Sequence, residues 1–280
     1  MLRVRADAPL DPYSLDILET VVSAANALGS EVILVGASAR DVVLTHVYAI
    51  PLLRATADID FAVAIQGWAA YRALIAYLLD GPRFTERHKV IHRLYYEPPG
   101  LGHAVPVDIV PFGHGLGGAR FRWPDDPDTE MNVEGYPDAA RAAAEVDVGG
   151  IIVKVLTPPR LALLKLFAWN DRHAETRKDA SDLFTLIQNY SELGNIDRLY
   201  DEPDLLDDVG HDYARGSARL LGRDVRRMCG EDTMVALQSI LGPVSMNHLI
   251  RDAYIENRSD NVTMDAVGQR LMDFADELRL

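Results

Sequence analysis

Of the 280 residues only Cys229 is a cysteine, which rules out an intramolecular disulfide framework and suits a reducing compartment. Long apolar runs are also missing. No stretch of about 18 apolar residues is present, so no membrane span is expected. The opening "MLRVRADAPLDPYS" lacks the apolar segment of a secretion signal. A cytoplasmic location follows as the expectation. Positive charge is scarce: 28 Lys and Arg stand against 42 Asp and Glu, a net charge of −14. A broad basic surface for non-specific nucleic-acid binding is therefore excluded, and no DNA partner is expected. Any phosphate-bearing substrate must be met by local lysines, arginines or metal ions. The histidines His46, His88, His103, His114 and His211 show no ligand spacing, so no zinc site is expected.

What is present divides in two. "DPYSLDILETVVSAANALG" (11–29) carries helical spacing up to Gly29. "EVILVGAS" (31–38) is an apolar run into a small-residue turn, the mark of a buried strand. "ARDVVLTHVYAI" continues as a helix closed by Pro51. Strands are expected at 58–65, 91–98, 104–113 and, around a Gly149-Gly150 turn, 145–158, with a helix at 67–80. The Gly-, Pro- and Asp-rich segment 113–138 reads as an irregular insertion; its glycines match neither phosphate-loop pattern. From Thr157 the chain becomes helical throughout. A mixed α/β part, 1–156, thus precedes a helical part, 157–280.

The residues that call for chemistry are acidic. Asp58 and Asp60 alternate with Ile59 and Phe61 at the start of a strand, so both carboxylates face one side. Like charges that close repel unless a cation sits between them. Asp108, in the strand "VPVDIV", would join them if the two strands are neighbours. Three converging carboxylates make a hard-oxygen site for Mg²⁺ or Mn²⁺, the ions of phosphoryl transfer. An aspartate pair at a strand start can equally cap a turn. Upstream, the turn at Gly36 offers backbone N–H groups and the Ser38 hydroxyl to a phosphate. Downstream, Lys165 lies within an apolar helix, where a snorkelling amine is the alternative. Lys178, Asp179 and Asp182 follow, in a pattern that also suits an acidic helix N-terminus.

Taken in order, these pieces resemble a known family. They are "GASA" (36–39), "TADIDF" (56–61), "HRL" (92–94), "VDIVPF" (107–112), "GIIVKVLTP" (150–158), "KLFA" (165–168) and "RHAETRKDASDL" (172–183). The set is similar to the AbiEii-type nucleotidyltransferases, toxins of bacterial toxin–antitoxin systems within the DNA polymerase β-like superfamily. The resemblance implies an α+β fold: a nucleotidyltransferase core with a mixed β-sheet flanked by helices, then a helical domain that completes the nucleotide site. It implies that Gly36 and Ser38 cradle a triphosphate, Asp58 and Asp60 bind metal, and Asp108 helps deprotonate the acceptor. Lys165 would meet the phosphates, and Lys178 with Asp179 would complete the nucleotide pocket.

The implied reaction moves an NMP from an NTP to an acceptor hydroxyl, RNA or tRNA in the first instance, with a cognate antitoxin as protein partner. The acidic charge leaves a small-molecule acceptor such as an aminoglycoside, or a protein hydroxyl, as the second expectation. A catalytically silent NTP binder is the third. "RDVRRMCG" (223–230) is a basic helical patch, either a solvated face or a contact for RNA.

Overall fold

The structure is a computed structural model and describes residues 1–52, 58–87, 90–98, 100, 102–258 and 262–279. It divides into two compact units, Met1–Thr157 and Pro158–Leu280.

In the first unit, eight strands among the described residues form one mixed sheet. They are β1 (Leu2–Arg3), β2 (Glu31–Val35), β3 (Ile59–Ala64), β4 (Phe84–Glu86), β5 (Arg93–Tyr96), β6 (Val105–Phe112), β9 (Ala144–Val148) and β10 (Ile151–Val155), in the order β1-β9-β10-β2-β3-β6-β5-β4. β2 and β3 run antiparallel, β3 and β6 parallel, β6 and β5 antiparallel. The sequence explains which strands lie centrally. Val32, Ile33, Leu34 and Val35 of β2, and Phe61, Ala62 and Val63 of β3, are all buried. Only a strand covered on both faces holds such unbroken apolar runs. In β10, Val153 and Val155 are buried while Ile152 is exposed, the alternation of a strand covered on one face.

Helix α1 (Pro12–Ala27) starts at Asp11, whose carboxylate accepts hydrogen bonds from the Tyr13 and Ser14 amides. It buries Ile17, Leu18 and Val21 and packs on β2 and on α3 (Trp68–Asp80). α2 (Gly36–Asp41) leaves β2 at once and continues into a π-helical turn, Val42–Val47. The segment expected to be irregular is partly ordered: β7 (Arg120–Trp123) and β8 (Asp126–Asn132) pair as a hairpin, followed by α4 (Tyr136–Ala140). The Arg-Phe-Arg-Trp alternation is the strand signal, masked by the surrounding Gly, Pro and Asp. Trp123 anchors the hairpin: it is buried against Trp68, Tyr71 and the ring of His92.

The second unit is helical: α5 (Pro158–Arg172), α6 (Lys178–Asn189), α7 (Arg198–Asp201), α8 (Asp204–Asp207), α9 (Tyr213–Met228), α10 (Glu231–Ile240), α11 (Pro243–Asn257) and α12 (Met264–Arg279). Its core brings together Leu183, Phe184, Leu220, Leu221, Val225, Leu271 and Phe274. α9 and α12 approach closely at Gly222, where a Cβ would lie 2.3 Å from the Phe274 carbonyl oxygen. The α9 arginines meet carboxylates at matching helical spacing. Arg215 pairs with Asp273, Arg219 and Arg223 with Glu277, and Arg227 with Glu202. Of the basic patch at 223–230, Arg223 and Arg227 are engaged by carboxylates of the same unit. Among the described residues no helix is long and apolar enough to cross a membrane.

Candidate active site

The chemistry gathers at one end of the central strands. Strand register places Val35 opposite Asp60, Asp60 beside Asp108, and Asp108 opposite Arg93. One row across four strands thus carries two carboxylates and a guanidinium. Asp58 lies just before β3, two residues from Asp60 and so on the same face. Carboxylate oxygens of Asp58, Asp60 and Asp108 all lie within 4.8 Å of one another. Asp108 is buried, and the other two are half-buried. Thr56 and Ala57 of the "TADIDF" motif, and His88, lie outside the described residues.

The turn from β2 into α2 closes one side. Gly36 has φ +65°, and a Cβ there would sit 2.2 Å from Oδ2 of Asp60. Glycine is needed both for the left-handed backbone and for the close approach to that carboxylate. The N-terminal end of α2, with its partial positive charge, therefore abuts Asp60. Ser38 is buried. Its hydroxyl donates to the Val35 carbonyl at 3.2 Å and accepts from the Asp60 amide at 3.3 Å. In this arrangement Ser38 ties β2 to β3 and fixes the backbone of Asp60.

Arg93 was visible in the sequence only as part of the "HRL" motif. Its Nε lies 2.6 Å from Oδ1 of Asp108 and its Nη2 2.7 Å from Oδ2, a bidentate fork. The same Nη2 is 3.6 Å from Oδ2 of Asp58. Hydrogen bonding to Asp108, opposed by partial burial and helped by the Asp58 charge, raises the Arg93 pKa above the usual arginine range. His92 Nε2 lies 3.8 Å from the same Asp108 carboxylate.

A cavity of about 470 Å³ adjoins Asp58 and Ser38. Tyr13, Ser14, Asp41 and His46 contribute to its wall, and no lysine or arginine lines it among the described residues.

Lys165, Asp179 and Lys178 belong to the helical unit. Lys165 does not snorkel. It is 8% exposed, with Nζ 3.0 Å from Asp179 and 2.6 Å from Asp182. Arg172 adds a bidentate contact to Asp179 at 2.7 and 3.0 Å. The i, i+3 spacing of Asp179 and Asp182 aims both carboxylates at the same ammonium. Burial alone would lower the Lys165 pKa, but Asp182 and Asp179 outweigh it and raise it above the ordinary lysine value. Burial alone would raise Asp179; Lys165 and Arg172 overturn this and bring it to about 2. Lys178, at the first turn of α6, is exposed.

A mixed sheet with three carboxylates at the ends of adjacent strands, beside a glycine turn and followed by a helical unit, is the arrangement of a nucleotidyltransferase. The sequence family described as "Nucleotidyl transferase AbiEii toxin, Type IV TA system" matches residues 24–227, and the chain belongs to that family. The protein is therefore a transferase of nucleotidyl groups. No curated protein matches it. Among solved structures, it is similar to an antigenic nucleotidyltransferase-like protein from Paracoccidioides brasiliensis, with 17% identity over 71% of this chain and 93% of that one, TM-score 0.41. It is also similar to ANT(2")-Ia in complex with adenylyl-2"-tobramycin, with 16% identity over 62% and 87%, TM-score 0.39. A Thermotoga maritima CCA-adding enzyme complexed with tRNA is similar at 12% identity over 96% and 82%, TM-score 0.27.

Proposed function

We propose that the protein moves a nucleoside monophosphate from an NTP to a hydroxyl of RNA, tRNA in the first instance, as the toxin of a toxin–antitoxin pair, with Mg²⁺ or Mn²⁺ held by Asp58, Asp60 and Asp108. The observation that carries this reading is the meeting of three carboxylates from two adjacent strands within 4.8 Å. The donor set fits the ion. All donors are hard oxygens, and ligands at about 2.1 Å on an octahedral ion stand roughly 3 to 4 Å apart. Such an ion, when bound, neutralises phosphate charge and makes a bound hydroxyl more acidic.

The chain's own residues divide the remaining work. Asp108, the most buried of the three, is the acceptor for the attacking hydroxyl's proton. The Gly36 turn supplies backbone N–H groups to the triphosphate, and Ser38 keeps Asp60 in place beside it. Lys165, Lys178 and Asp179 are proposed as nucleotide-binding residues of the helical unit, on the strength of the family motifs they sit in.

The test uses purified protein, Mg²⁺, each α-labelled NTP in turn and total bacterial RNA, with Asp58→Ala as control. Label in a tRNA-sized band, lost in the variant, is the expected result. Absence of label in RNA with every NTP would overturn the acceptor assignment. A second reading, transfer to a small neutral or cationic acceptor, is favoured by the cavity beside Asp58, whose wall carries Asp41 and, among the described residues, no lysine or arginine. Adenylylation of an offered aminoglycoside, with RNA unlabelled, would establish it.

A further inference from the structure

The three carboxylates already have a cation among them, and it is part of the chain. The Arg93 fork grips both oxygens of Asp108 at 2.6 and 2.7 Å and reaches Asp58 at 3.6 Å. It spans two of the three groups that would hold a divalent ion. Register makes this a built arrangement, because Arg93 is the cross-strand partner of Asp108 on β5. Its side chain is 27% exposed and that of Asp108 10%, so the pair is partly shielded from water, and its attraction is stronger than that of a surface pair.

We propose that Arg93 is the internal counter-cation of this site: it competes with the divalent ion for Asp108 and Asp58, holding the trio together when no ion is bound and setting how tightly one binds. The inference rests on the proposed metal reading. One lone pair on each Asp108 oxygen is taken by the guanidinium, so an ion must either displace an arm of the fork or bind through the remaining lone pairs against a positive charge that also lies close to Asp58. Without Arg93, the repulsion of Asp108 and Asp58 loses the guanidinium that offsets it.

The experiment measures Mn²⁺ binding by the free-ion EPR signal, and thermal unfolding with and without Mn²⁺, for the wild type, Arg93→Gln and Arg93→Lys. The expected result has three parts. Arg93→Gln binds Mn²⁺ about tenfold tighter or more, since the competing positive charge beside Asp108 and Asp58 is gone. Its metal-free form melts lower than the wild type, and Mn²⁺ restores more of its melting temperature than it adds to the wild type. Arg93→Lys, which keeps the charge but loses the fork, falls between the two and serves if the glutamine variant fails to fold. Mn²⁺ affinity unchanged or weaker in both variants, with the wild type binding normally, overturns the role of Arg93 and leaves the metal reading standing. If folded wild type and folded variants all fail to bind Mn²⁺, the metal reading falls and this inference with it.

Discussion

At Gly36 a single hydrogen in place of a methyl group decides whether the site can exist. The residue combines φ +65° with a carboxylate oxygen 2.2 Å from where a Cβ would stand. Gly36→Ala should lose about 1 to 2 kcal/mol from the left-handed backbone alone, and it should also displace Asp60. A urea titration with a parallel transfer assay checks this: activity is expected to fall more than the stability loss explains. Asp60→Asn separates chemistry from folding at the same point. It relieves repulsion among the carboxylates, so its melting temperature should match or exceed the wild type while transfer drops about a hundredfold or more. A variant that melts well below the wild type would mark Asp60 as a structural residue.

At the level of elements, the pairing of α5 with α6 is organised around a buried charge. Lys165 is enclosed, and its ammonium faces Asp179 and Asp182 at 3.0 and 2.6 Å. Removing one partner of such a group costs far more than replacing the whole group. Lys165→Met should therefore destabilise the protein by about 3 to 5 kcal/mol. Adding Asp179→Asn and Asp182→Asn should recover much of that. Denaturant midpoints of the single and triple variants decide it, and equal losses in both would show that packing, not uncompensated charge, carries the effect. The β7–β8 hairpin is held in a different way, by Trp123 packed on Trp68 and Tyr71 and stacked on His92, next to Arg93.

Across the whole molecule, charge is arranged so that stability depends on pH at both extremes. The folded Asp179 titrates near 2 against an ordinary 3.8, so folding favours its ionised form. Its contribution is complete above about pH 4 and is lost as the pH falls toward 2. Lys165 is raised above 10.5, so its contribution is complete below that value and is lost as the pH rises through its folded pKa. Unfolding midpoints between pH 2 and 5 should fall more steeply for the wild type than for Asp179→Asn. Parallel curves would remove Asp179 from the account. The net charge is −14, and Arg215, Arg219 and Arg223 of α9 are taken up in ion pairs. RNA binding should therefore depend on a few local contacts and show a shallow salt dependence.

The sequence by itself determined most of the elements, the β7–β8 hairpin excepted, and the residue types of the site. The apolar run at 31–38 marked a buried strand, helical spacing marked α1 and the second unit, and the alternation around Ile59 set Asp58 and Asp60 on one face. These are local periodicities, readable within a few residues. Tertiary structure alone decided what depends on register between distant segments. It brought Asp108 beside Asp60, pressed Gly36 against the same carboxylate, set Arg93 across from Asp108, and closed two aspartates over Lys165. A strand's pattern states which face a side chain takes but not which strand lies next to it. The counter-cation of the site and the buried partners of Lys165 follow from that neighbourhood.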